Sequence, residues 1–181
     1  MKTIYYFNII IVFVFFACTR VENRNVKENV VVINAEVNLE NDTLTIEKTR
    51  RLNNAYSGKY YSSTDSISKY GVGYSKTIPD SLLGYNLSVY ISVWVRENLL
   101  PVEGEIGVSL NVGDKLIDWK SIKQKDIAYK QGEWIQIKDS LFYPSKLISQ
   151  KNTCLKIFAM KDSGKDSFDV DDLLIKFKFS K

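Results

Sequence analysis

Between Tyr85 and Val95 the chain alternates without interruption: Tyr85, Leu87, Val89, Ile91, Val93 and Val95 share one side, and Asn86, Ser88, Tyr90, Ser92 and Trp94 the other. A period of two is the pattern of a half-buried strand and is incompatible with an amphipathic helix, so the first set is assigned to the core. The same alternation returns at Ile106, Val108, Leu110 and Val112, and Gly113-Asp114 then turns the chain into Leu116 to Trp119, a β-hairpin. Further strands are expected at Val30–Ile33, Leu44–Ile46, Lys59–Tyr61, Tyr70–Tyr74, Trp134–Ile137, Thr153–Met160 and Phe168–Phe179, with Ser121–Lys130 the one segment of helical character. Short strands separated by turn signals, with no internal repeat, predict an all-β fold: a two-sheet antiparallel β-sandwich.

Composition narrows the chemistry. The chain has no histidine, which excludes Ser-His and Cys-His nucleophilic pairs and histidine-ligated metals. The net charge of +4 comes from scattered lysines and arginines, so no nucleic-acid partner is expected. Of the two cysteines, Cys154 sits in the apolar run Cys154 to Met160 and reads as a buried, inert thiol. The carboxylates Glu103, Glu105, Asp118 and Asp126 form no recognisable catalytic pair, and the protein is not expected to be an enzyme.

The first residues have a different character. Lys2 precedes an almost wholly apolar run from Ile4 to Phe16, closed by Ala17-Cys18. A basic start, a short apolar segment and a small residue before the cut are the parts of a secretory signal. Phe15-Phe16-Ala17-Cys18 resembles the lipobox of bacterial lipoproteins. That resemblance implies that Cys18 carries the lipid, palmitate included, and becomes the first residue of a protein held at the cell envelope, with the outer membrane favoured. An uncleaved single-span anchor or an ordinary signal with a chance cysteine are the alternatives. The expected layout is a signal peptide over 1–17, a lipidated cysteine and loose polar tether over 18–29, and the β-domain over 30–181.

Four fragments within that domain fall in a recognisable order: Leu39-Glu40-Asn41-Asp42, Ala55-Tyr56-Ser57-Gly58-Lys59-Tyr60, Gln131-Gly132-Glu133-Trp134 and Val170-Asp171-Asp172-Leu173. Together they resemble jelly-roll domains of the galactose-binding-like, carbohydrate-binding-module type. The resemblance implies a structural Ca2+ held by Glu40 and Asp171 with backbone carbonyls of Ser57, Gly58 and Lys59, and Glu36 is an alternative to Glu40. Asp171 has the parity of Leu173 and Ile175 and is expected to face the core, with Asp172 facing out. The competing reading is that Asp171 only accepts backbone hydrogen bonds.

For a ligand, the resemblance points to Tyr90 and Trp94, two aromatics on the strand face opposite the core, with Ser88, Ser92, Ser109 and Asn111 as polar neighbours. Ordinary packing against a covering loop is the alternative. Trp119 and Trp134 read as structural. The expected function is therefore that of a noncatalytic, lipid-anchored envelope protein binding a glycan. The alternatives are a structural or protein-interaction lipoprotein of the same fold and, less favoured, a cryptic glycoside hydrolase.

Overall fold

The computed structural model describes residues 25–27, 30–37, 39–40, 50–65, 67–99, 103–126, 130–161 and 167–181. Among the described residues, eleven strands form two antiparallel sheets. In chain order they are β1 (Asn25–Lys27), β2 (Val30–Val37), β3 (Arg50–Leu52), β4 (Tyr60–Thr64), β5 (Tyr70–Thr77) and β6 (Asn86–Glu97). They continue with β7 (Gly104–Val112), β8 (Lys115–Lys123), β9 (Ile135–Tyr143), β10 (Thr153–Lys161) and β11 (Phe168–Ser180). The smaller sheet runs β5-β10-β7-β8. The fold is the expected β-sandwich of jelly-roll type.

β11 organises the larger sheet. One of its edges pairs with β6 along nearly its whole length, and β6 pairs onward with β9. The other edge is shared by two strands: β4 lies against Phe168–Val170 and β2 against Leu173–Ser180. Between these partners, at Asp171–Leu174, the register with β6 slips and Asp172 takes a φ of +47°, the signature of a β-bulge. β1 and β3 extend the two arms outward.

The core between the sheets follows from the alternation. Leu87, Val89, Val93 and Val95 of β6 are fully buried and meet Ile106, Val108 and Leu110 of β7, with Phe177 and Phe179 of β11 filling the layer. Each such side chain contributes about 1.5–3 kcal/mol by leaving water. One end of the core is closed by an ion pair. Glu97 ends β6 and Lys161 ends β10, both essentially inaccessible, with Nζ 3.3 Å from Oε1. Glu97 also accepts the backbone N–H of Gly104 at 2.6 Å and of Glu103 at 3.2 Å. A Cβ at Gly104 would lie 2.1 Å from the Phe168 ring, so only glycine fits there.

Two expectations change. Asn25–Lys27, placed in the tether, pairs with Val30–Val32 as a short edge hairpin, because the backbone can use the free edge of β2 whatever its side chains. Of the segment Ser121–Lys130, expected to be helical, residues 121–123 are the end of β8 and Gln124–Asp126 a 3-10 turn, while residues 127–129 lie outside the described residues. The strand expected at Leu44–Ile46 lies outside the described residues.

Candidate functional site

The outer face of the larger sheet carries two unlike halves, divided by the bulge. Above it, β4, β11 and β6 bring Tyr61, Ser63, Asp169, Asp171, Trp94 and Arg96 onto one surface through the pairs Asp169↔Ser63, Asp169↔Arg96 and Asp171↔Trp94. A loop lies across this half. Asn53 and Asn54, both at positive φ, and Gly58 at +60° let it turn tightly enough to cover the sheet. Tyr56 from this loop stacks on Trp94 at 3.7 Å between ring centroids and 14° between planes. The carbonyl of Asn54 accepts Nη1 of Arg96 at 3.1 Å and Nε1 of Trp134 at 3.2 Å. Beneath it, Arg96 donates from Nε and Nη2 to Asp169 Oδ2 and lies 4.5 Å from the Trp134 ring centroid. Desolvation, with the Asp169 charge adding to it, pushes the Tyr61 hydroxyl above its ordinary pKa.

Glu40 and Asp171 hold the same loop in place. Glu40 Oε1 accepts the amides of Lys59 at 2.7 Å and Tyr60 at 2.8 Å. Asp171 accepts the amide of Ser57 at 3.0 Å and that of Asp172 at 2.8 Å, and Ser57 Oγ donates to Asp172 at 2.9 Å. Burial beneath the loop raises the Asp171 carboxyl above the usual carboxylate range, and the Ser57 and Asp172 amides oppose that shift. Here the expected parity fails. Because the bulge inserts a residue, Asp171 keeps the side of Asp169 and Trp94, and is buried by the loop instead of by the core.

This geometry does not fit the calcium expectation. Calcium requires hard oxygen donors, whereas Ser57, Lys59 and Tyr60 present N–H groups to the two carboxylates. The Lys59 carbonyl is already used by the Asn53 amide at 3.0 Å. No group of three or more metal-ligating side chains occurs among the described residues. Gly58 contributes through space: a Cβ there would lie 2.5 Å from Glu40 Oε1. Glu36 is exposed on the lower half of the face, whereas Glu40 is the carboxylate the loop engages.

Below the bulge the face is open. The pairings set three rows across β2, β11, β6 and β9: Glu36–Leu174–Ser92–Lys138, Asn34–Lys176–Tyr90–Ser140 and Val32–Lys178–Ser88–Phe142. The first two rows line a groove of about 710 Å³. Tyr90 is 41% exposed on its floor, with Leu174 at 45%, and Phe142 at 56% extends the apolar strip diagonally. Diagonal neighbours on adjacent strands stand about 7–8 Å apart, so Leu174, Tyr90 and Phe142 mark a line of roughly 15 Å. Tyr90, Ser88 and Ser92 thus share one surface, as their common parity requires.

Trp94 and Asn111 do not join them. Trp94 is half-buried under Tyr56, so the exposed ring at that level belongs to the loop. Asn111 belongs to β7 in the smaller sheet, where it is buried and donates to Ser109 Oγ at 2.9 Å. Sequence alternation reveals which face of a strand is polar but not which sheet the strand joins. Trp119, expected to be structural, lies over Gly107 beside Phe158 on the outer face of the smaller sheet and is 40% exposed. Glu105 and Asp118 lie on strands of that smaller sheet, with Asp118 ion-paired to Lys120. Cys18 lies outside the described residues.

No family model matches the chain, and no curated protein is similar to it. Solved structures of similar fold include the CBM22-2 xylan-binding domain of Paenibacillus barcinonensis Xyn10C, at 14% identity and TM-score 0.48, covering 81% of this chain and 98% of that one. The CBM22-1–GH10 modules of Clostridium thermocellum xylanase 10B, complexed with xylohexaose, show 21% identity and TM-score 0.40, with 82% and 26% covered. The VP2 subviral particle of infectious bursal disease virus gives 13% and 0.47, with 89% and 38% covered. The chain thus spans about a quarter to two fifths of the latter two proteins. These likenesses are distant and assign no ligand to the chain.

Proposed function

We propose that this is a noncatalytic, lipid-anchored protein of the cell envelope that binds a saccharide chain in the groove below the bulge. The observation that supports this best is the exposed Tyr90 ring, set in a row of small polar side chains. An aromatic face gives a sugar ring an apolar surface to stack on, while Asn34, Ser88, Ser92 and Ser140 can exchange hydrogen bonds with hydroxyls. Four strands about 4.8 Å apart make a floor about 14 Å across, wide enough for a short oligosaccharide. Hydrolysis needs two facing carboxylates, and Glu36 is the only acidic side chain in the three rows.

Tyr90→Ala is expected to weaken binding to the best glycan on an array at least about tenfold, or roughly 1.4 kcal/mol, while the melting temperature stays near wild type. Undiminished binding by the folded variant would overturn the assignment. If the wild-type chain binds no glycan, the exposed Leu174 and Phe142 favour the second reading, a protein partner on this face. The anchor is tested separately. Cys18→Ser should move the protein from the membrane fraction to the soluble one, and retention on membranes after an alkaline wash would remove the lipid from the proposal.

A further inference from the structure

The charge pattern of the groove supports a narrower ligand class, and this inference rests on the saccharide reading above. Lys176 stands on β11 in the centre of the floor and Lys138 on β9 at one end, while Lys178, two residues along β11, stands in the third row just beyond the groove's lining. Among the described residues none of the three is ion-paired; the Lys176 ammonium lies over the Tyr90 ring, 5.9 Å from its centroid. The acidic groups nearby do not cancel them. Asp139 is exposed and belongs to the groove's lining, but it has the parity of Ile137 rather than of Lys138, and its carboxylate accepts the amide of Ser140. Glu36 lies at the far end of the row that Lys138 closes. The open face thus carries a tyrosine ring and two apolar side chains with three ammonium groups, against Glu36 in the same rows and Asp139 at the groove's β9 edge.

We propose that the groove takes an anionic polysaccharide, whose sugar rings lie along Leu174, Tyr90 and Phe142 while its acidic substituents meet Lys138, Lys176 and Lys178. A neutral glycan would leave the three ammonium groups without a counter-charge, whereas a carboxylated or sulfated one supplies it at the edges of the stacked rings. Lys138 and Lys176 are exposed and Lys178 is half-buried, so their attraction for such substituents is open to screening by salt.

Affinity electrophoresis of the full chain tests this with matched pairs. Polygalacturonate is compared with its fully methyl-esterified form, and dextran sulfate with dextran, so that charge changes while the chain does not. The expected result is a preference of tenfold or more for one acidic member over its neutral partner, shrinking several-fold between 50 and 500 mM salt as screening shortens the reach of the lysines. Which acidic polymer shows it distinguishes carboxylate from sulfate as the recognised group. The triple substitution Lys138→Gln, Lys176→Gln, Lys178→Gln should abolish the preference without lowering the melting temperature, because the three side chains project from the solvent face. Equal binding of acidic and neutral partners, or a preference that survives the triple substitution, would overturn the inference while leaving a saccharide groove in place. Loss of all glycan binding in the wild-type chain would instead overturn the reading on which it rests.

Discussion

Replacing Lys161 by methionine is expected to cost the fold about 3–5 kcal/mol at neutral pH, because it leaves the Glu97 carboxylate buried without a counter-charge. Both groups sit between the sheets, inaccessible to water, so neither can recover solvation by a small movement. In the native protein burial already raises the Glu97 carboxyl above its usual pKa, and Lys161 with the Gly104 and Glu103 amides opposes that rise. Without the ammonium the carboxyl rises further. A carboxyl whose folded pKa is raised stabilises the fold fully below its unfolded value, about 4.3, and loses that contribution as pH climbs through the folded value. The deficit of Lys161→Met should therefore be small near pH 4 and largest near pH 7. Adding Glu97→Gln should flatten the pH dependence. Urea melts of the three proteins between pH 4 and 8 check this, and a pH-independent deficit would show that lost packing, not the orphaned charge, is responsible.

Arg96→Ala is expected to be comparably damaging, at about 3–5 kcal/mol, and to loosen the loop over the upper half of the face. Three things fail together: Asp169 loses both charge-assisted hydrogen bonds, the Asn54 carbonyl loses a donor, and Trp134 loses the cation above its ring. Ser63, at 2.6 Å, would remain as a partner of the buried Asp169 carboxylate. Arg96→Lys should recover less than half of the loss, since a single ammonium cannot supply the planar fork or the stacking surface. Tryptophan emission should shift to the red in both variants as water reaches Trp134 and Trp94. A stability within 1 kcal/mol of wild type for Arg96→Ala would contradict the role assigned to this pair.

Much of the architecture was legible because alternation is local. The burial of Leu87, Val89, Ile91, Val93 and Val95 follows from parity alone, as does the shared face of Ser88, Tyr90 and Ser92. Gly113 at positive φ marked the β7–β8 hairpin for the same local reason. What could not be read was long-range register. Leu174 and Phe142 become neighbours of Tyr90 only through pairings of β6 with β11 and with β9. Tyr56 covers Trp94 from a loop some forty residues away. Parity places Asp171 on the wrong face because a bulge intervenes at Asp172, and the local sequence marks that bulge only by a pair of adjacent aspartates. Asn111 shares with the groove residues a strand that is polar on one side, a property that strands of both sheets have, so alternation alone does not separate them.

The bulge also has a consequence for how this chain tolerates insertion and deletion. Strand β11 keeps Phe168 and Val170 inside on one side of it and Leu173, Ile175, Phe177 and Phe179 inside on the other. Asp172 is the spare position between the two phases, so losing it would straighten the strand yet leave every core residue facing inward. One residue inserted after Leu174 would instead exchange the faces of everything downstream, driving Lys176 and Lys178 into the core and two phenylalanines into water. The last strand therefore has a reading frame, with a single position at which a change of length does not shift it.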